Sequence, residues 1–190
     1  MNFVVDIGNS NTVIGLYRND ILVKRWRIAT DKNQTVDDIT SKIHSLMVFS
    51  KIEIDDIGCC VIGSVVPPLN HVWERFSIEF LDKKPIFIRH TLNSGIELKV
   101  TNPYEVGADR IANAAAAARF FTEGSFIIDS GTAITLDIIT PAKEYIGGAI
   151  MPGIMISMEA MSQRTAKLPR FELDRPGHAI GKTTLEGLQS

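Results

Sequence analysis

Two short stretches of the chain set a carboxylate and a glycine at the end of an apolar run. The first is Asp6-Ile7-Gly8-Asn9-Ser10-Asn11-Thr12, reached from Phe3-Val4-Val5; the second is Asp129-Ser130-Gly131-Thr132-Ala133, reached from Phe126-Ile127-Ile128. A carboxylate delivered at a strand end can hold a hydrated divalent cation. Glycine lets the backbone turn sharply and bring N–H groups close to a phosphate, and Asn9, Ser10, Asn11 and Thr12 add short donors without bulk. Either stretch alone also reads as an Asx-rich hairpin turn. The two share one form: aromatic, two β-branched residues, Asp, any residue, Gly, then a Thr and an apolar strand. That repetition points to a duplicated unit and favours paired phosphate loops.

A third stretch lies between them, Asn102-Pro103-Tyr104-Glu105-Val106-Gly107-Ala108-Asp109-Arg110. Gly107 and Ala108 leave space beside Asp109, and Arg110 supplies a planar cation for an anionic or polar substrate. The same Asp-Arg pair also suits a structural ion-pair element at a helix start. Gly177 to Thr183 imitates a phosphate-binding P-loop, but only three residues separate its glycines where four are needed, and no buried strand precedes it. It is rejected as a P-loop. His44, His71, His90 and His178 have no ligand spacing and read as surface or packing residues. Met151, Met155, Met158 and Met161 approach helical spacing and read as core or dimer-contact residues.

Positioning these residues takes alternating strands and helices. Strands are expected at Phe3–Val5, Val13–Tyr17, Ile21–Ile28, Ile57–Ser64 and Pro85–Arg89. Thr35 and Asp38 form a capping box for a helix whose face is Ile39, Ile43, Leu46 and Met47. Pro67-Pro68 opens a second helix with Val72, Trp73, Phe76 and Phe80. Asn102-Pro103 is read as a helix start, Asn capping and Pro in the first turn, and the five alanines from Ala114 to Ala118 favour a tightly packed helix. Phe126–Ile128 is expected to be a buried strand, followed by strands at Ala133–Ile139 and Tyr145–Met151 and a Met- and Ile-rich helix after Pro152-Gly153. The fold class is therefore α/β, in two halves, 1–101 and 102–190, each carrying one loop.

The 190 residues suffice for a real core, and 45% hydrophobic with 22% charged residues is ordinary globular composition. A formal charge of -2 lacks the clustered basic excess of a nucleic-acid binder. Cys59 and Cys60 are adjacent, which suits free thiols in a reducing compartment. The N-terminus has no basic signal-peptide region, and no apolar run approaches the ~20 residues that span a bilayer. A cytoplasmic protein is expected, with neither membrane nor nucleic acid as partner.

Taken in order, VVDIGNSNT, NPYEVGADR, IIDSGTA, GGAIMPG and TTLEGLQS resemble the type III pantothenate kinases, and the likeness runs from Asp6 to Ser190. The resemblance implies an actin-like (ribonuclease H-like) duplicated fold of two halves, with mixed sheets flanked by helices and nucleotide phosphates in the cleft between them. It implies phosphorylation of pantothenate to 4'-phosphopantothenate with ATP, the first step of coenzyme A biosynthesis. By it Asp6, Ile7, Gly8, Asn9, Ser10, Asn11, Thr12 and Val13 bind ATP, Asp6 also holding Mg2+ through water, and Thr132 touches ATP. Gly107, Ala108, Asp109 and Arg110 bind pantothenate, Asp109 accepting the proton. Asp129 ligates K+ or another monovalent cation such as NH4+. Thr184 contacts the substrate across a homodimer interface. The chain departs from the family at Val100, where a Tyr is usual. It also ends at Ser190 within a helix, so a truncated second half without its closing helical segment is expected.

Other functions remain open on the residues. A sugar or acetate kinase of the same superfamily would share the loops but not NPYEVGADR. A non-catalytic nucleotide-binding switch would need no Asp109-Arg110. A regulatory DNA-binding role is disfavoured by the charge and by the lack of a helix-turn-helix with a basic recognition helix.

Overall fold

The computed structural model describes residues 1–164, 172–175 and 177–189; Ser190, which closes TTLEGLQS, lies outside them. The chain divides into two compact units, Met1–Ile127 with Asp137–Gly147, and Ile128–Leu136 with Gly148–Ser190.

The first unit opens with β1 (Asn2–Ile7), β2 (Asn11–Arg18) and β3 (Ile21–Ala29), an antiparallel meander, and continues through α1 (Val36–Phe49), β4 (Cys59–Ser64), α2 (Asn70–Glu79) and β5 (Ile86–Phe87). These strands form a five-stranded mixed sheet ordered β3-β2-β1-β4-β5. β4 runs parallel to β1, placing Gly63 opposite Asp6 and Ser64 opposite Ile7. The carboxyl ends of both strands therefore meet at one edge. Alternation along β1 buries Phe3, Val5 and Ile7 against Ile39, Ile43, Met47, Trp73 and Phe76. Phe76 sits edge-on to Trp73 and stacks on Phe80, ring centroids 5.4 Å apart in each pair. The capping box at α1 is present: Thr35 accepts from the Asp38 N–H, and Asp38 accepts from the Thr35 N–H. β5 is shorter than the expected Pro85–Arg89, since only Ile86 and Phe87 pair with β4.

A second sheet is ordered β6-β9-β8-β7, from β6 (Glu97–Leu98), β7 (Ser125–Ser130), β8 (Ala133–Ile139) and β9 (Glu144–Pro152). α3 (Ala108–Phe120) buries Ala108, Ile111, Ala114, Ala117 and Ala118. Ala114 and Ala118 pack with Ile139, Tyr145, Ile127 and Val100. Val100 is thus a packing residue of this smaller core.

Two expectations are corrected here. The turn after Asn102 is a 3₁₀ turn, Pro103–Glu105, and the Asn102 side chain does not cap it; its Nδ2 instead donates to Glu105 Oε1 at 3.0 Å. Val106 and Gly107 are extended, so α3 starts only at Ala108. Phe126 and Ile128 are 61% and 64% exposed rather than buried. β7 is the last strand of its sheet, and alternation sends Ile127 alone into the core.

In the second unit, α4 (Ile154–Arg164) follows β9, and none of its residues is buried. The methionines are accordingly not core: Met151, Met155 and Met161 are 41%, 66% and 40% exposed. α5 (Thr184–Gln189) carries a capping box of its own, Thr183 Oγ1 accepting from the Glu186 N–H and Glu186 Oε2 accepting from the Thr183 N–H. Glu186 Oε2 also takes the Lys182 N–H at 2.7 Å. Two of the backbone donors that a P-loop would offer to phosphate, those of Lys182 and Thr183, are thus taken by the chain's own carboxylate.

Candidate active site

The loop after β1 is a tight turn in which the Gly8 N–H donates to the Asn11 carbonyl at 3.0 Å. A Cβ at Gly8 would lie 2.9 Å from that same oxygen, so the turn needs glycine. Thr30, at the end of β3, clamps the loop from outside: its N–H donates to the Ser10 carbonyl at 3.1 Å and its hydroxyl to the Gly8 carbonyl at 2.8 Å. Thr30 has one hydroxyl proton, so Thr12 Oγ1 must be the donor in the 2.9 Å contact between the two hydroxyls. Thr12 is fully buried, and its hydroxyl holds the loop rather than lying at its surface. Ile7 is likewise a core side chain, leaving only its backbone for a ligand, and its carbonyl accepts from Val65. Asp6, Asn9 and Ser10 are exposed, while Gly8, Asn11 and Val13 are half-buried.

The first turn of α3 approaches the same strand ends. A Cβ on Gly63, which stands opposite Asp6, would lie 3.9 Å from the Ala108 Cβ, and one on Gly107 would lie 3.5 Å from Val65 Cγ1. Gly107 and Ala108 are thus brought beside Val65 and Gly63, the latter opposite Asp6, and local spacing marked neither Gly63 nor Val65. Asp109 folds back on its own turn, Oδ1 accepting the Arg110 N–H at 2.8 Å. A negative side chain is favoured at a helix N-terminus. A Cβ at Gly107 would collide with Asp109 Oδ1, so Gly107 leaves that carboxylate its room.

Arg110 is not solitary. Its Nε and Nη2 donate to Asp137 Oδ1 at 2.9 and 2.6 Å, and Tyr145 Oη donates to the same oxygen at 2.7 Å. Partial burial would lower the Arg110 guanidinium, but the hydrogen bond and charge of Asp137 hold it above its ordinary value. Burial, and then the Asp137 carboxylate, push the Tyr145 phenol well above its usual range. Asp137 escaped the sequence reading. Its signal was there: a single acid inside the otherwise apolar strand Leu136-Asp137-Ile138-Ile139, a residue type almost never buried unless paired.

In the second unit the loop after β7 closes one residue sooner, the Gly131 N–H donating to the Ala133 carbonyl at 2.9 Å. Gly153 supports it, its N–H donating to the Thr132 carbonyl at 3.0 Å. A Cβ at Gly153 would meet the Gly131 and Thr132 backbone, with the Thr132 carbonyl carbon at 2.8 Å. Asp129, Thr132 and Thr184 are exposed.

Among the described residues no three of His, Cys, Asp or Glu form an ion cage. Each loop carries one carboxylate, Asp6 in the first unit and Asp129 in the second. An oxygen donor of this kind suits a hard cation held mainly by water and substrate oxygens.

The chain matches type III pantothenate kinase over residues 2–190. It is 44% identical over 190 residues to the type III pantothenate kinase of Geobacillus sp. (strain WCH70), covering all of this chain and 74% of that protein. The chain belongs to the type III pantothenate kinase family. The family member from Geotalea daltonii is 42% identical over the same length, again with 74% of that protein covered. Among solved structures, a Campylobacter jejuni protein titled as a Baf family transcriptional activator superposes with a TM-score of 0.57 at 22% identity, covering 98% of this chain and 71% of that one. That likeness concerns the fold alone. The expected fold class is borne out as α/β with two mixed sheets flanked by helices. No helix among the described residues is long and apolar enough to cross a membrane.

Proposed function

We propose that this chain transfers the terminal phosphoryl group of ATP to the primary hydroxyl of pantothenate, giving 4'-phosphopantothenate, the first step of coenzyme A biosynthesis. The observation that carries the reading is the family match over residues 2–190, supported by the carboxylate of Asp109 at the first turn of α3. Phosphoryl transfer proceeds through a loose transition state, so positioning and charge neutralisation do most of the work. Asp109 orients the attacking hydroxyl and accepts its proton late, a task an ordinary carboxylate can perform. Arg110, with Gly107 and Ala108, holds the polar part of pantothenate, and Thr184 reaches the substrate across a homodimer contact. The exposed apolar residues of α4, among them Ile154 and Met155, supply a surface suited to that contact.

The Gly8–Asn11 turn offers its backbone to the ATP phosphates between Asp6 and Val13, and Thr132 touches ATP from the second loop. Asp6 is the residue that would hold a water-bound Mg2+, and Asp129 one that would hold K+ or NH4+; such cations would offset phosphate charge when bound. The protein is proposed to work in the cytoplasm.

The test is ADP formation dependent on pantothenate, with Mg2+ and with or without K+. Soluble protein giving no pantothenate-dependent ADP would overturn the reading in favour of another small-metabolite kinase or a nucleotide-binding module without turnover. Asp109→Asn is expected to keep ATP binding and lose turnover; loss of ATP binding instead would reassign Asp109. Asp129→Ala is expected to abolish the K+ dependence, and an unchanged dependence would remove the cation from that residue.

A further inference from the structure

We infer that Asp137, braced by Tyr145, is the positioning residue that fixes Arg110 for the substrate; the inference rests on the reading of this chain as a pantothenate kinase. Asp137 is fully buried, whereas the Arg110 side chain keeps 15% of its surface open. A pair built for stability would set both carboxylate oxygens against the guanidinium fork. Here three donors converge on Oδ1, and Oδ2 is buried without a hydrogen-bond partner among the described residues. Buried ion pairs are weak evidence for stability in any case, because desolvation consumes much of the attraction.

What this geometry does is immobilise a plane. The Arg110 guanidinium is gripped along one edge by Asp137 and lies over the Tyr145 ring, 5.7 Å from its centroid. Tyr145 in turn is tied to Asp137 through its hydroxyl, so one aromatic residue fixes both partners. Of the five guanidinium N–H donors, Nε–H and one on Nη2 go to Asp137, which leaves three for other acceptors on a side chain that keeps 15% of its surface open. Because Asp137 cancels the charge, those three act as aimed donors to substrate oxygen rather than as a free positive charge. A lysine could not reproduce them, lacking the fork. Positioning of this kind belongs to the substrate arm of the site and leaves the nucleotide loop of residues 6–13 untouched.

The test is steady-state kinetics of the full chain, with pantothenate and ATP varied separately and Tm measured alongside. Wild-type protein without pantothenate-dependent ADP would sink the functional reading itself, before any variant is compared. Given an active wild type, Tyr145→Phe, which keeps the ring, is expected to raise the KM for pantothenate about fivefold and leave the KM for ATP unchanged. Asp137→Asn is expected to raise it about tenfold or more; should that variant not fold, Tyr145→Phe decides alone. In an Arg110→Lys background the effect of Tyr145→Phe is expected to vanish, since it acts through the guanidinium. An unchanged pantothenate KM in Tyr145→Phe would overturn the inference. So would a parallel rise for both substrates with a fall in Tm, or an equal effect in the Arg110→Lys background.

Discussion

The Thr30 hydroxyl donates to the Gly8 carbonyl at 2.8 Å across 22 residues of chain, and so holds the first loop to the end of β3. Thr12 completes the clamp by donating to Thr30. Thr30→Val keeps the shape but leaves the Gly8 carbonyl and the Thr12 hydroxyl unpaired. Each such loss costs about 1 to 3 kcal/mol. Thermal melts are expected to show the destabilisation, and titration with ATP to show weaker binding, with the pantothenate KM unaltered. Unchanged ATP affinity would mean that the turn keeps its shape without the clamp.

Gly107 makes a sharper case, because the atom that a new Cβ would meet there is the mobile end of Asp109, not backbone. Gly107→Ala is therefore expected to fold with a Tm close to wild type while displacing the Asp109 carboxylate. Misplacing a reacting group by about 1 Å can cost on the order of 100-fold in rate. The expected result is a kcat lowered about 10- to 100-fold with ATP binding retained. A variant with wild-type kcat would argue that Asp109 does not act in the geometry seen here.

The parts of the fold that were legible in sequence are those written in local spacing. Thr35 and Asp38 are three residues apart and form their capping box as expected. The two Asp-x-Gly turns are hairpins because strand, glycine and strand follow one another directly. What could not be read was set by distant partners. Thr30 finds Gly8, and Arg110 finds Asp137 27 residues away. Asp6 stands opposite Gly63 only because β4 lies beside β1, and Gly63 in turn approaches Ala108 of α3. Phe126-Ile127-Ile128 is apolar on both faces, so the letters alone could not say that one face stays exposed. Asn102-Pro103 has helix-start chemistry, yet the extended Val106 and Gly107 limit it to a single turn.

Gly153 tests the second loop through packing alone. A methyl group there would run into the Gly131 and Thr132 backbone, which cannot rotate away as a side chain can. Overpacking of this kind costs about 1 to 3 kcal/mol or more, and for a protein of this size each kcal/mol lowers Tm by about 2 to 4 °C. Gly153→Ala is expected to lower Tm by about 2 to 12 °C and to speed proteolysis of the second unit. A wild-type melting curve would show that the loop after β7 gives way easily.

The last prediction concerns alkaline pH. Tyr145 is buried against Asp137, and both burial and that carboxylate raise its phenol above the 10.0 of an unfolded tyrosine. A folded-state pKa above the unfolded one means that the native protein keeps a proton which the unfolded chain releases. Its contribution to stability is therefore fully present below about pH 10 and is lost as pH rises beyond it. Tm measured from about pH 8 to pH 11 is expected to fall more steeply above pH 10 in wild type than in Tyr145→Phe, where no phenol titrates. All other side chains are shared by the two proteins and cancel in the comparison. Parallel curves would show that the Tyr145 hydroxyl is not held against Asp137 in solution, and the bracing of Arg110 would go with it.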